Sequence, residues 1–205
     1  MLLDHGQIRR RLRQRAPMLL LDTVAEYTPP GALVATKAVT GGEDCYRDVA
    51  EGAGIGAFAY PQVLLLESFG QAVSLLWSLA GLGPAEEIPL MVGVRGLRYA
   101  QPALPGDVLE HHVRLVHRSG AVNEFAGETR VGGRTVVSVA SMLVVSRPPS
   151  ALLPDPAPAP APASAPTPAP APAPVSASAS ASASASASSS VSVVVPVPAG
   201  VPDPA

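Results

Sequence analysis

The chain has 205 residues, with 14 Lys and Arg against 16 Asp and Glu, and a formal net charge of −2. That balance, without a basic stripe interleaved with aromatics, argues against a nucleic-acid role. A single cysteine, Cys45, excludes an internal disulfide framework and a cysteine zinc site, and no uninterrupted apolar run is long enough to read as a membrane span.

Residues 1–146 read as one globular domain and residues 147–205 as a tail rich in Pro, Ala and Ser. The tail has no large apolar side chains at a useful period, so it cannot offset its ordering entropy and is expected to be disordered. Its valine-rich stretch 191–197 is β-prone, but proline and a terminal position argue against a strand.

In chain order, residues 7–14 read as a short basic helix. Five arginines, Arg9, Arg10, Arg11, Arg13 and Arg15, precede the apolar run 18–21. No cleavage pattern follows, so this is not a signal peptide, and a soluble cytoplasmic protein is expected. Residues 23–27 and 32–39 flank Thr28-Pro-Pro-Gly31 as strand, turn and strand. Residues 41–59 hold five glycines and read as a loop. Pro61 fits the first turn of a helix that runs to about residue 80 and stops at Gly81 and Gly83. Strand-like runs follow at 90–99, 108–117 and 121–131. Gly132-Gly133 then turns into a last strand at 134–146. The expected fold is α+β, an antiparallel sheet wrapped around one buried helix.

Glu67 is the only charged side chain between Gly52 and Ala85. Its neighbours Leu64, Leu65, Leu66, Phe69, Leu75, Leu76 and Trp77 leave no clear polar face, and a helix apolar all round is a buried one. A carboxylate there costs several kcal/mol unless it is paired or protonated, which makes Glu67 a functional-site candidate. The competing reading is an exposed glutamate on the polar edge of an amphipathic helix.

Three segments carry a resemblance: Arg15-Ala-Pro-Met-Leu-Leu-Leu-Asp22, Tyr60-Pro-Gln-Val-Leu-Leu-Leu-Glu-Ser-Phe-Gly-Gln-Ala72 and Gln101-Pro-Ala-Leu-Pro-Gly-Asp107. Their order and spacing over residues 8–145 resemble the hotdog-fold β-hydroxyacyl-acyl-carrier-protein dehydratases of bacterial fatty-acid synthesis. The resemblance implies a hotdog fold and dehydration of a 3-hydroxyacyl thioester with no metal or other cofactor. In that family a histidine removes the α-proton and an acid protonates the departing hydroxyl, an acid whose proton an apolar pocket helps to retain. Glu67 matches the acid, with Gln71 orienting it from one turn away and Pro61 in the same motif.

The family's histidine lies in a Gly-His-Phe-Pro-Gly loop. Counting back from Glu67 without gaps places it on Ala53, with the loop's final glycine on Gly56. No histidine stands between Gly6 and Glu110. The four present are His5, His111, His112 and His117; alternation puts His111 and His117 on one strand face and His112 on the other. Each reads as a strand or surface histidine. Cys45 and Tyr46 are the other proton-transfer candidates in the loop.

Because the family's site straddles two subunits, the resemblance implies a partner: a histidine-bearing homologue in a heterodimer, in fatty-acid or polyene-type polyketide synthesis, with a homodimer as the alternative. Two other readings stay open, a hotdog acyl thioesterase using Glu67 alone and a non-catalytic acyl-binding or structural subunit. The arginine cluster fits steering of an acidic acyl carrier protein and equally a solvated helix face. Gly52-Ala-Gly-Ile-Gly56 has neither the lysine nor the strand context of a phosphate loop.

Overall fold

The computed structural model describes residues 1–84 and 86–152, which fall in a unit spanning Met1–Pro158. From residue 153 onward, the expected disordered tail lies outside the described residues. The elements in chain order are α1 (His5–Arg11), β1 (Thr23–Thr28), β2 (Ala32–Ala38), α2 (Gln62–Leu79), β3 (Ile88–Arg95), β4 (Arg98–Tyr99), β5 (Val108–Ser119), β6 (Val122–Val131) and β7 (Arg134–Arg147). The strands form one antiparallel sheet in the order β1-β2-β5-β6-β7-β3, with β4 also paired to β7. The sheet wraps α2 through Phe69, Leu65, Leu75 and Leu76 against Leu33, Leu109, Phe125 and Met142, all fully buried or nearly so. This is the hotdog architecture.

α2 forms because Leu, Gln, Glu and Ala favour helix and no proline interrupts it. Pro61 is its N-cap, one position before the first turn expected of it. At the other end Leu82 N–H reaches back to Trp77 O at 3.1 Å, the closing bond of a Schellman cap. α1 begins two residues earlier than expected because Asp4 and Gln7 form a reciprocal capping box. The single strand expected at 90–99 is split. Gly96 adopts φ +60° and an added Cβ would lie 2.6 Å from Ala140 Cβ, so the chain kinks there. Among the described residues one segment, Ile55–Leu79, is long and apolar enough to cross a membrane, and half of it is buried under the sheet.

The expected pairing of His111 and His117 on one face is wrong. A bulge between Leu115 and His117 shifts the register, leaving Leu115 opposite the buried Phe125 and His117 opposite Glu124. His117 is therefore exposed on the outer face, while His111 is fully buried on the inner one. His111 Nδ1 lies 2.9 Å from Thr129 Oγ1, and its ring stands edge-on to Phe69 with centroids 6.3 Å apart. Burial first, then the positive charge of Lys37 and proximity to His112, push its pKa down from 6.5 to about 3.

The unfolded chain therefore binds a proton at position 111 that the folded chain refuses. The stability this group supplies is complete above pH 6.5 and is lost as pH falls toward 3, by up to about 1.4 kcal/mol per pH unit. Urea titrations between pH 7 and pH 5 should show this slope in the parent chain and a flatter one in His111→Gln. Parallel slopes would remove His111 as the cause.

Candidate active site

The site is built where an extended segment of the opening motif crosses α2. Gln71, 1% exposed, bridges them. Its side-chain oxygen accepts Leu20 N–H at 3.0 Å, and its amide nitrogen donates to Met18 O at 2.7 Å and to Glu67 Oε1 at 2.9 Å. Gln14 Nε2 reaches the same Glu67 oxygen at a longer 3.4 Å. Residues 67 and 71 face one another because positions four apart share a helix face.

Glu67 is half-buried, which corrects the expectation of a helix enclosed on every side. One face of α2 is inside the sheet; the other, with Val63 70% exposed, is open. Glu67 lies there in a cleft of about 300 Å³ shared with Gln14, Met18, Leu66, Gly70 and Met91. Met91 on β3 is 53% exposed and Met18 is 43% exposed, so the carboxyl is framed by uncovered apolar surface. No ion pair among the described residues involves Glu67.

No histidine lines this cleft. His5 contacts Leu21 O from α1, His111 is inside the core, and His112 sits 3.7 Å from Glu110. In the loop, Ala53 donates its N–H to Ala50 O, and Gly56 lies in a short 3₁₀ turn, Ile55–Phe58. Burial, aided by the nearby Glu43 charge, pushes the Cys45 thiol up. The Tyr46 phenol is pushed up first by burial, so neither is poised to accept a proton at neutral pH. The described residues contain no group of three or more His, Cys, Asp or Glu side chains placed to hold a metal ion.

Sequence reasoning missed Lys37 and Glu43. Lys37 is 6% exposed, with Nζ 3.0 Å from Glu43 Oε1, 3.1 Å from Ala38 O and 5.3 Å from the centre of the Tyr60 ring. This buried ion pair ties the loop to β2 and to the start of α2. A lysine in a strand reads as a surface residue, and only the glutamate six positions later hinted otherwise. Arg9, Arg10 and Arg11 occupy the last turn of α1, where they complement its C-terminal dipole. All five arginines are exposed, and Arg13 and Arg15 flank the Gln14 that touches Glu67.

A FabA-like domain profile matches residues 12–140. The chain belongs to the FabA-like family. The 3-hydroxyacyl-acyl-carrier-protein dehydratase FabZ of Anaeromyxobacter sp. strain Fw109-5 is 35% identical to this FabA-like chain over 152 residues, covering 70% of it and 90% of the relative. The protein of the same description from Myxococcus xanthus strain DK1622 is 35% identical over 135 residues, covering 65% and 86%. The dehydratase heterocomplex ApeI:P from Xenorhabdus doucetiae shares the fold, with a TM-score of 0.52 and 20% identity over 71% of this chain and 93% of that one.

Replacing Gln71 by leucine preserves side-chain bulk but orphans Leu20 N–H and Met18 O. The expected loss of stability is about 2–4 kcal/mol, read from the denaturation midpoint. An unchanged midpoint would mean the bridge carries no weight.

Proposed function

We propose that this chain is one subunit of a 3-hydroxyacyl-acyl-carrier-protein dehydratase, supplying Glu67 as the acid to a site whose histidine comes from a second hotdog subunit. The observation that carries the reading is Glu67 itself, anchored by Gln71 on an uncovered apolar face with no base beside it. The FabZ relatives supply the substrate class.

In the proposed reaction the partner's imidazole takes the proton from the carbon next to the thioester. The bond from the third carbon to its hydroxyl breaks, and the Glu67 carboxyl gives its proton to the departing oxygen. The products are an unsaturated thioester and one water. Transfer of the proton from imidazolium to the Glu67 carboxylate resets the site. Gln71 holds Oε1 in place, so the carboxyl meets the substrate in one orientation. The apolar frame of Met18, Val63 and Met91, once covered by the partner, excludes water from the acyl chain.

The loop of this chain carries no histidine, so the second site of the pair is silent. A hotdog dehydratase heterocomplex is known from Xenorhabdus doucetiae, and we extend that mode of assembly to this chain. The exposed Arg9, Arg10, Arg11, Arg13 and Arg15 form the docking surface for the acidic carrier protein, in the segment that also carries Gln14 into the cleft.

Water loss from a 3-hydroxyacyl-carrier protein, followed by mass spectrometry, should be absent with this chain alone. It should be present when the hotdog protein that co-purifies with the chain is added. Turnover by the isolated chain would contradict the shared site. In the mixture, raising salt to 0.5 M should lower kcat/KM about tenfold with kcat little changed, as expected for electrostatic steering; salt-independent kcat/KM would remove the arginines from docking.

A further inference from the structure

Two cavities meet at Met18. The first is the Glu67 cleft. The second, of about 330 Å³, lies between the opening motif, the loop after β2 and the first turn of α2, and its lining includes Pro17, Met18, Leu20, Leu64 and Cys45. The two loop carboxylates at its edge are committed elsewhere. Glu43 Oε1 accepts from Lys37 Nζ and from Thr40 N–H, each at 3.0 Å. Asp44 is turned toward Arg47 at 3.8 Å, with its side chain 64% exposed. Burial pushes the Cys45 thiol up, so it carries no charge at neutral pH. What remains facing the cavity is alkyl surface and sulfur.

Met18 and Leu64 line both cavities, so these two side chains form the partition between them. They differ in freedom. Leu64 packs against the core, whereas Met18 is 43% exposed. The Met18 backbone is pinned, its N–H donating to Arg15 O at 2.8 Å and its carbonyl accepting from Gln71 Nε2 at 2.7 Å. Movement is thus left to an unbranched, flexible thioether side chain. We propose that the Met18 side chain is a gate through which the substrate's acyl chain passes from the Glu67 cleft into the second cavity, so that Met18 sets the chain length this subunit accepts. The inference rests on the dehydratase reading above and adds to it the path of the alkyl tail. Ligand pockets run from about 300 to about 1,000 Å³. The Glu67 cleft alone, at about 300 Å³, therefore suits a short chain, and the two cavities joined suit a long one. The other end of the cleft offers no such selection. A Cβ built on Gly70 meets nothing within 4 Å, so toward Ser74 the cleft is open and its far wall belongs to whatever covers this face.

Cys45 is the chain's single cysteine and reports on the second cavity. The test is the rate at which iodoacetamide alkylates Cys45, read by mass spectrometry of its peptide, in the full chain paired with the hotdog protein that co-purifies with it. In the parent, decanoyl-pantetheine should slow alkylation about tenfold and butanoyl-pantetheine less than about twofold, because each buried methylene strengthens binding about fourfold. In Met18→Phe, whose flat ring has fewer ways to turn aside, the decanoyl effect should fall to that of butanoyl. Equal effects of the two thioesters in the parent, or full decanoyl protection retained in folded Met18→Phe, overturn the gate. Should Met18→Phe not fold, the contrast between the two thioesters in the parent decides alone. Water loss by the parent pair separates the gate from the reading it rests on. Turnover without protection strikes the gate and spares the dehydratase; protection without turnover does the reverse.

Discussion

The buried amide of Gln71 is the interaction on which the rest of the site depends. It acts as a piece of backbone, accepting from Leu20 and donating to Met18, so that an extended segment is bound to a helix with which it could share no regular hydrogen bonding. The same nitrogen reaches Glu67 Oε1. One side chain thus fixes the N-terminal segment, brings Gln14 and its flanking arginines to the cleft, and orients the carboxyl. Because Gln71 and Leu20 are buried, breaking the bridge between them leaves polar groups with no water to turn to.

A second constraint acts on the loop. The Lys37–Glu43 pair lies under the loop and against Tyr60, so the segment after β2 and the start of α2 are located by the same two charges. Removing one partner of a buried pair is far costlier than never having the pair, and the loop therefore keeps its course whether or not it carries a base. The result is a well-held carboxyl on an open apolar face, and a well-held loop that carries no histidine. Under the proposed function, such a surface is completed by another subunit.

Much of this was legible in the residues. The period of the strands, the turn signals and the long apolar helix led to the chain order of the elements and to a sheet wrapped around one helix, and the three motifs led to the family. What escaped was non-local. The half-exposure of Glu67 depends on which face of α2 the sheet covers, and a helix of leucines on most sides does not say. The outward position of His117 follows from a bulge that simple alternation cannot reveal. The split of β3 from β4 needs the contact between Gly96 and Ala140, residues far apart in sequence. The capping box of Asp4 and Gln7 was in plain view and was overlooked.

The central claim is that Glu67 gives the proton to the departing hydroxyl. The most direct measurement is kcat of the reconstituted pair carrying Glu67→Gln in this subunit, with assembly checked by native mass spectrometry. Glutamine keeps the shape and can still meet Gln71, but it has no carboxyl proton to give. The account predicts intact pairs and a loss of about 10³-fold in kcat. Intact pairs with activity within a few-fold of the parent would contradict it.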